Sequence, residues 1–183
     1  MIRLARGIVR HVVDTGQVQA RDTIGQLQAV LDWQIQRLAY VEDPLDESGY
    51  PTELFKQPWR AIEDGGDDCE GHVTVTATLY NALGYPSIPI WIEQELEVQN
   101  HVAGEVAVTT SVAAKIKPAG RYDVTTIRPA STPTIAGSWL PFETTLGDVR
   151  LGAGRVVRGA TVGEHPYDVL RRMKASGVVR RGL

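Results

Sequence analysis

The spacing of hydrophobic positions changes about halfway along the chain. In residues 22–41 (DTIGQLQAVLDWQIQRLAYV) apolar side chains recur every three or four residues, which predicts an amphipathic helix with Asp22 or Thr23 as its N-cap. The second half predicts strands of an antiparallel sheet, separated by Asn, Gly and Pro, at residues 87–98, 101–109, 121–127 and 138–144. Helices followed by strands indicate an α+β fold.

The segment between these two halves fits two patterns. Residues 73–79 (VTVTATL) alternate and are rich in β-branched side chains, which favours a strand. Against this, Asp67 and Glu70 have the spacing of a capping box, and the sequence LGYP at 83–86 is typical of a helix end. We predict a helix over about 68–83.

Two other regions carry little periodicity. Residues 42–62 contain three prolines and are predicted to form a loop, with a short helical turn near Leu54 and Trp59 as an anchor. From residue 151 the chain is rich in Gly and Arg, with one possible short helix in the stretch HPYDVLRRMKAS. We therefore predict one domain over 1–150 and a basic tail over 151–183.

Composition narrows the class of protein. With 183 residues and 43% hydrophobic content the chain can form one core of ordinary size. Its single cysteine excludes an internal disulfide and a multi-cysteine metal site, which favours an intracellular protein. The first residues lack the features of a signal peptide, and no run of 18 apolar residues occurs, so no membrane span is predicted.

The net charge of -3 conceals a strong asymmetry along the chain. Residues 42–70 hold ten acids against Lys56 and Arg60, whereas residues 148–183 hold eight Lys or Arg against three acids. Partners are therefore expected to meet local charged patches.

The only cysteine, Cys69, lies within the acidic region, near position N2 of the predicted helix. The helix N-terminus favours a thiolate and the nearby carboxylates oppose it, so a histidinium would be needed to decide the balance. His72 follows on the same helix and is interpreted as structural, whereas His101 opens a predicted strand that would hold its ring. Glu143 stands between apolar residues and could orient that ring. The remaining histidines are interpreted as surface residues: His11 and His165.

These motifs resemble the transglutaminase-like cysteine peptidase superfamily. The turn from Gly66 to His72 (GDDCEGH) is similar to the GDCDD or GDCED turn of that group, and the stretch HVAGEV at 101–106 fits its histidine strand. The similarity covers roughly residues 22–147 and is greatest to the short members encoded by phages and prophages and to bacterial transglutaminase-like cysteine proteinases. It implies a papain/transglutaminase-like core with N-terminal helices, a cysteine-bearing helix and an antiparallel sheet carrying the histidine and the acid.

The resemblance implies a catalytic triad in which Cys69 is the nucleophile, His101 the general base and acid, and Glu143 the orienting acid. The family usually has aspartate in the third position, so Asp148 is an alternative to Glu143. Residues 110–137 are a longer insert between the histidine and acid strands than compact members contain, and are interpreted as a lid or docking arm.

The implied chemistry is acyl transfer from an amide through a thioester, resolved by water in a peptidase or amidase and by an amine in a crosslinking enzyme. The oxyanion would be bound by the backbone N–H of Cys69 and one further donor, for which Gln57 and Trp59 are candidates. No cofactor is implied.

Three other interpretations remain open at this point. A catalytically silent protein of the same fold could serve a phage particle or its assembly, with the basic tail binding phage structural proteins. Nucleic-acid binding through residues 148–183 is disfavoured because no aromatic interleaving supports it. A divalent-cation site is also disfavoured, because the spacing fits no EF-hand loop and helix capping explains two of the acids; its candidate ligands are Asp64, Asp67, Asp68, Glu70 and His72. The predicted location is the host cytoplasm or the virion, with a peptide or protein amide as substrate.

Overall fold

The computed structural model describes residues 1–49, 52, 56–92, 101–116, 128–131, 135–145 and 151. Its helices are α1 (Ile2–Asp14), α2 (Thr23–Arg37), α3 (Pro58–Asp64), α4 (Cys69–Ala82) and α5 (Thr110–Ala113). Its strands are β1 (Ala39–Tyr40), β2 (Gly66–Asp67), β3 (Ser87–Ile92), β4 (His101–Thr109), β5 (Arg128–Ser131) and β6 (Ala136–Phe142).

The strands form two sheets of different size. The larger sheet is antiparallel with the order β3-β4-β6-β5, and the smaller is the two-stranded parallel pair β1-β2. Helix α4 packs against β3 and β4 on one side and against α1, α2 and α3 on the other. The α+β class predicted from the sequence is therefore confirmed, as are the N-terminal helices and the cysteine-bearing helix.

The central position of α4 explains why its sequence is ambiguous. Side chains all around this helix are buried, among them Val73, Val75, Thr76, Leu79 and Tyr80. A helix that is enclosed on every side does not need a polar face, so its apolar residues show no amphipathic period. The predicted helix over 68–83 is confirmed within one residue at each end.

The core is organised around two aromatic rings. Tyr80 on α4 and Phe142 on β6 are both completely buried and meet edge to face, with their ring centroids 5.2 Å apart. The Tyr80 hydroxyl donates to the backbone carbonyl of Leu27 on α2 at 3.0 Å. One side chain thereby joins α4 to both the sheet and the N-terminal helices.

Several predicted boundaries were wrong. Helix α2 begins at Thr23 with Asp22 as N-cap, as predicted, but it ends at Arg37 because the next residues are extended and pair with β2. Helix α3 occupies part of the predicted loop, since Pro58 is well suited to the first turn of a helix. Trp59 is not an anchor, because it is 53% exposed. Helix α1 was not predicted.

In the second half, β4 has the predicted bounds and β6 lies close to the predicted strand at 138–144. The predicted insert at 110–137 contributes α5 and β5, and β5 extends the large sheet at its edge. The predicted strand at 121–127 and the helical turn near Leu54 lie outside the described residues.

Almost all of the predicted basic tail also lies outside the described residues. Its first residue, Leu151, is buried, forms a bridge with Phe142, and donates its backbone N–H to Gln28 Oε1 at 2.9 Å. The boundary at residue 150 stays a prediction. Among the described helices, none has the length and apolar character required to cross a membrane.

Candidate active site

Cys69 is the first residue of α4, directly after the N-cap Asp68. The chain enters this helix from β2, which is held by parallel pairing with β1: Ala39 lies opposite Gly66, and the N–H of Val41 donates to the Asp67 carbonyl at 2.9 Å. The cysteine therefore sits at position N1, not N2, on a turn that is tied to the end of the N-terminal helices.

An ion pair between a partly exposed lysine and a buried carboxylate fixes the same turn. Lys56 Nζ lies 3.2 Å from Asp67 Oδ1 and 3.3 Å from the carbonyl oxygen of Gly66, and Asp67 is only 1% exposed. The Asp67 carboxylate packs so closely against Gly71 in the first turns of α4 that a Cβ there would overlap it. The predicted capping box is wrong, because the Asp67 side chain binds Lys56 and the N-cap is Asp68.

Lys56→Met is expected to lower the free energy of unfolding by about 1–3 kcal/mol, because it leaves the buried Asp67 carboxylate without its cation. Burial already outweighs Lys56 and raises the pKa of Asp67. Urea denaturation at pH 7 would measure the loss. In the double variant with Asp67→Asn the two changes should cost less than their sum; simple additivity would show that the pair is not coupled.

The thiol itself lies in a negative environment. Burial raises the pKa of Cys69 far above its ordinary range, and the charges of Glu70 and Asp68 raise it further. The thiol donates to Glu70 Oε2 at 3.5 Å, while a hydrogen bond from the backbone of Val102 lowers the pKa. The balance left open by the sequence therefore favours a neutral resting thiol, since burial and two carboxylates outweigh the helix N-terminus.

Glu70→Gln is expected to speed alkylation of Cys69 by iodoacetamide at pH 8 by about 3- to 10-fold. Removing the negative charge lowers the pKa of the thiol, so a larger share is ionised at any pH below that pKa. The rate is measured by intact mass as the thiol is consumed. Glu63→Gln, an exposed acid paired with Arg60, makes the same chemical change and should leave the rate unchanged; an equal effect of both variants would contradict the assignment to Glu70.

His101 and Glu143 form a close pair. His101 opens β4 and Glu143 directly follows β6, and the antiparallel register that places Gly104 opposite Phe142 brings the two side chains together. The Nε2–H of His101 donates to Glu143 Oε2 at 2.8 Å, and both residues are buried. Because Nε2 is engaged, Nδ1 is the ring nitrogen that can exchange a proton with another group.

The second oxygen of Glu143 is held by the following loop. Oε1 accepts the backbone N–H groups of Thr144 and Thr145 at 2.8 and 3.0 Å and the Thr145 hydroxyl at 3.2 Å. Burial acts to raise the pKa of Glu143, but the hydrogen bond and charge of His101 and these N–H groups together lower it. Glu143 is therefore an ionised, fixed carboxylate at neutral pH.

Cys69 is placed near this pair by its contact with β4. The backbone of Val102 acts to lower the pKa of the Cys69 thiol, and Val102 is the residue next to His101. The structure thus brings the cysteine to the start of the strand that carries the histidine, and the acid to the same histidine. Roles for these three residues in catalysis remain predictions.

His72 has a structural environment, as interpreted from the sequence, but with unexpected partners. Its Nε2–H donates to the carbonyl of Ala39 at 3.0 Å, so Nδ1 accepts from Gln34 Nε2, 2.6 Å away. Both side chains are buried. These bonds join α2, β1 and α4, and they hold the imidazole ring in place.

The remaining candidate residues from the sequence are the oxyanion donors, the alternative acid and the cation ligands. Gln57 precedes α3 and is exposed, and Trp59 is exposed in its first turn, so their role as oxyanion donors stays a prediction. Asp148 lies outside the described residues. Of the acids considered as cation ligands, Asp68 and Glu70 have a ligand atom within 4.8 Å of Cys69 Sγ, whereas Asp64 and Asp67 contact Lys56.

Three residues of the site were missed from the sequence. Lys56 could have been found, because it is one of only two basic residues within 42–70. The sequence around Thr145 and Tyr40 does not indicate that they belong to the site, since their positions depend on contacts between distant segments.

Comparisons with known proteins give distant likenesses among solved structures. No model of a protein family and no curated protein matches the chain. Legionella pneumophila LapG is 19% identical with a TM-score of 0.48, covering 85% of this chain and 69% of that one. A TGase is 15% identical with a TM-score of 0.47, covering 89% of this chain and 35% of that one.

A chain described as a "putative cysteine protease" from Cytophaga hutchinsonii is 12% identical with a TM-score of 0.42, covering 77% of this chain. This chain spans only 37% of that protein's length. At such identities and TM-scores, shared activity does not follow from the likeness. The functional argument therefore depends on the site geometry.

Proposed function

We propose that the protein is a transglutaminase-like thiol enzyme that transfers the acyl group of a peptide or protein amide through Cys69, His101 and Glu143. The observation that carries the proposal is the buried His101–Glu143 pair, 2.8 Å between Nε2 and Oε2, at the start of the strand that contacts the Cys69 thiol. A histidine held by an ionised acid on one nitrogen leaves the other nitrogen available as a base, and cysteine–histidine catalysis requires such a histidine near the nucleophile.

The proposed reaction begins from a neutral thiol. His101 Nδ1 takes the thiol proton as Cys69 Sγ attacks the amide carbon, and it gives that proton to the leaving amine when the C–N bond breaks. The resulting thioester is attacked by water or by another amine, whose proton passes through His101 back to the sulfur as the C–S bond breaks. Deprotonation during attack suits a site where burial, Glu70 and Asp68 raise the pKa of the resting thiol.

Each neighbouring element has a part in this scheme. Glu143 holds the His101 ring and stabilises the imidazolium that forms after proton transfer. The backbone N–H of Cys69 belongs to the first turn of α4, where N–H groups lack partners within the helix, so it suits the developing oxyanion. Gln57 and Trp59 are proposed for the second donor, and Asp148 is kept as the alternative acid.

A test requires a substrate that any such enzyme should accept. With p-nitrophenyl acetate we expect release of nitrophenolate and an acetyl group on Cys69 that hydroxylamine removes, as expected for a thioester. Cys69→Ala should abolish both. His11→Ala, an exposed histidine on α1, is the matched control for histidine loss and should react as the parent protein does. Acetylation confined to lysine, with the same ester turnover after Cys69→Ala, would contradict the proposal.

A second candidate is a catalytically silent protein of this fold that serves a phage particle or its assembly. The observation in its favour is the partly buried thiol, whose pKa is raised and which hydrogen-bonds to Glu70. The firmly held Glu143 carboxylate opposes it, because a silent protein has no need to fix that group. A Cys69 acetyl group that forms but is not released in hours, without turnover, would favour the silent protein.

The broader assignments rest on the sequence resemblance alone. They comprise the phage association, the host cytoplasm or the virion as location, and the binding of phage structural proteins through residues 151–183. A pull-down that compares the full chain with a chain ending at residue 151 would test the role of the tail. Retention of the same partner by the shorter chain would contradict it.

A further inference from the structure

Tyr40 lies beside the cysteine turn and has no role in the proposed reaction. It is the second residue of β1, where it is the register partner of Asp67 on β2, two residues before Cys69. The backbone on either side is fixed, since the N–H groups of Ala39 and Val41 donate to the carbonyls of Gly65 and Asp67, each at 2.9 Å. The position of the Tyr40 ring is therefore set by the same strands that position the thiol.

One side of the Tyr40 ring is supported and much of the rest is open to solvent. The ring meets His72 edge to face with centroids 6.1 Å apart, and His72 is itself held by Gln34 and the Ala39 carbonyl. Tyr40 is nevertheless 55% exposed. An exposed aromatic ring on a rigid support next to a nucleophile is well placed to contact a substrate side chain.

The surroundings of the ring are negative. Burial of part of the hydroxyl raises the pKa of Tyr40 to about 12, and the Cys69, Asp68, Glu42 and Glu70 groups contribute to the rise. The two basic residues within 42–70 are engaged with other acids. Lys56 contacts Asp64 and Asp67, and Arg60 contacts Glu63 and Asp64.

We propose that Tyr40, with the carboxylates of Glu42 and Asp68, binds a lysine or arginine side chain of the substrate next to the amide that Cys69 attacks. This inference rests on the proposed function and names its substrate class. A cation is attracted to the face of a tyrosine ring and to carboxylates at the same place, so the two contributions reinforce each other. A neutral apolar side chain would contact the Tyr40 ring but would not be attracted by the carboxylates.

The lysine or arginine side chain belongs to the substrate segment that supplies the acyl group. It is distinct from any amine that attacks the thioester. Glu70 is left out of this contact, because it is buried and accepts the thiol hydrogen bond. Glu42 is exposed and Asp68 is partly buried, so both can face a bound side chain.

The test uses peptides that react irreversibly with the thiol. N-acetyl tripeptide chloromethyl ketones carry lysine or norleucine at one of the three positions, with alanine elsewhere; sulfur bonds to the methylene carbon and chloride leaves. Norleucine has the four side-chain carbons of lysine but lacks the charged ammonium group. The second-order rate constant for labelling is measured by intact mass, and peptide mapping identifies Cys69.

We expect lysine to be favoured over norleucine at one position by about 5- to 20-fold at low salt, and by much less in 0.5 M NaCl. Tyr40→Leu and Glu42→Gln should each reduce this ratio about threefold, whereas Tyr40→Phe keeps the ring and should retain it. Asp14→Asn removes an exposed acid on α1 that is not among the groups acting on Tyr40 and should leave the ratio unchanged.

The two proposals fail in different ways. A ratio near one at every position, with Cys69 labelled and labelling slowed by His101→Ala, overturns recognition of a cation and leaves the thiol chemistry intact. A lysine preference that survives both Tyr40→Leu and Glu42→Gln also overturns it, because the cation then binds elsewhere. Labelling by all peptides that is as fast in His101→Ala contradicts the proposed function itself.

Discussion

His101→Ala is expected to lower the rate of thiol-dependent ester turnover by about 10²- to 10⁴-fold, the usual contribution of a positioned general base. The resting thiol has a raised pKa, so without the imidazole very little nucleophile is present at pH 7. The rate of nitrophenolate release from p-nitrophenyl acetate, followed from pH 5 to 10, measures the loss. In the variant the rate should rise steeply with pH, because the raised pKa of Cys69 leaves ionisation of the thiol as the only source of nucleophile.

A substitution of Glu143 tests the proposed role of the His101–Glu143 pair with a smaller chemical change. Glu143→Gln retains the shape of the side chain but removes the charge that is proposed to stabilise the imidazolium, so turnover should fall by about 10-fold or more. The matched control is Glu105→Gln, another buried glutamate of the sheet, which lies on β4 beyond the histidine. Glu143→Gln with full activity and an unchanged pH profile would contradict the role of the pair, and would direct attention to Asp148.

Phe142→Ala is expected to lower the free energy of unfolding by about 3–5 kcal/mol, because it opens a cavity in the centre of the core. Phe142 is completely buried, contacts Tyr80 edge to face, and fills the space above Gly104, where a Cβ would overlap its ring. Urea denaturation followed by far-UV circular dichroism at pH 7 measures the change. A loss of this size consumes a large part of the stability of an ordinary domain.

Ile2→Ala, a change at a side chain that is 55% exposed on α1, serves as the control and should cost less than about 1 kcal/mol. An equally small loss for Phe142→Ala would mean that the ring is not part of a packed core. The prediction also concerns the site, because Phe142 directly precedes Glu143. If Phe142→Ala is folded at low temperature, its ester turnover should fall as well, since the acid is no longer held in place.

The helices and strands were predicted best where a local signal decides the structure. Asp22 and the spacing that follows it gave the start of α2, and the LGYP sequence at 83–86 gave the end of α4. The predicted end of α2 lies too far along the chain, because Ala39 and Tyr40 pair as a strand with residues 27 positions further on. Helix α3 was hidden by its proline, which can indicate a loop or a first helical turn equally well.

The residues of the site were also predictable where a local sequence pattern decides the structure. The pairing of His101 with an acid follows from two strands whose patterns are clear, and the structure places Glu143 there. The electrostatic state of Cys69 was left open by the sequence, because the sequence does not reveal that the thiol packs against Glu70. Likewise, the Lys56–Asp67 pair and the Tyr40–His72 contact depend on tertiary packing.

The short β1–β2 pairing has a consequence for how the protein is made. It joins residues 39–40 to 66–67, and the His101–Glu143 bond joins residues that are 42 positions apart. Contacts of such separation form late compared with local ones, since a long loop must close before they are gained. A ribosome produces Cys69 well before it produces His101 and Glu143, so the thiol of a nascent chain lacks both residues of the proposed pair. If the proposed function holds, reactivity is thereby delayed until the whole sheet has been synthesised and has folded.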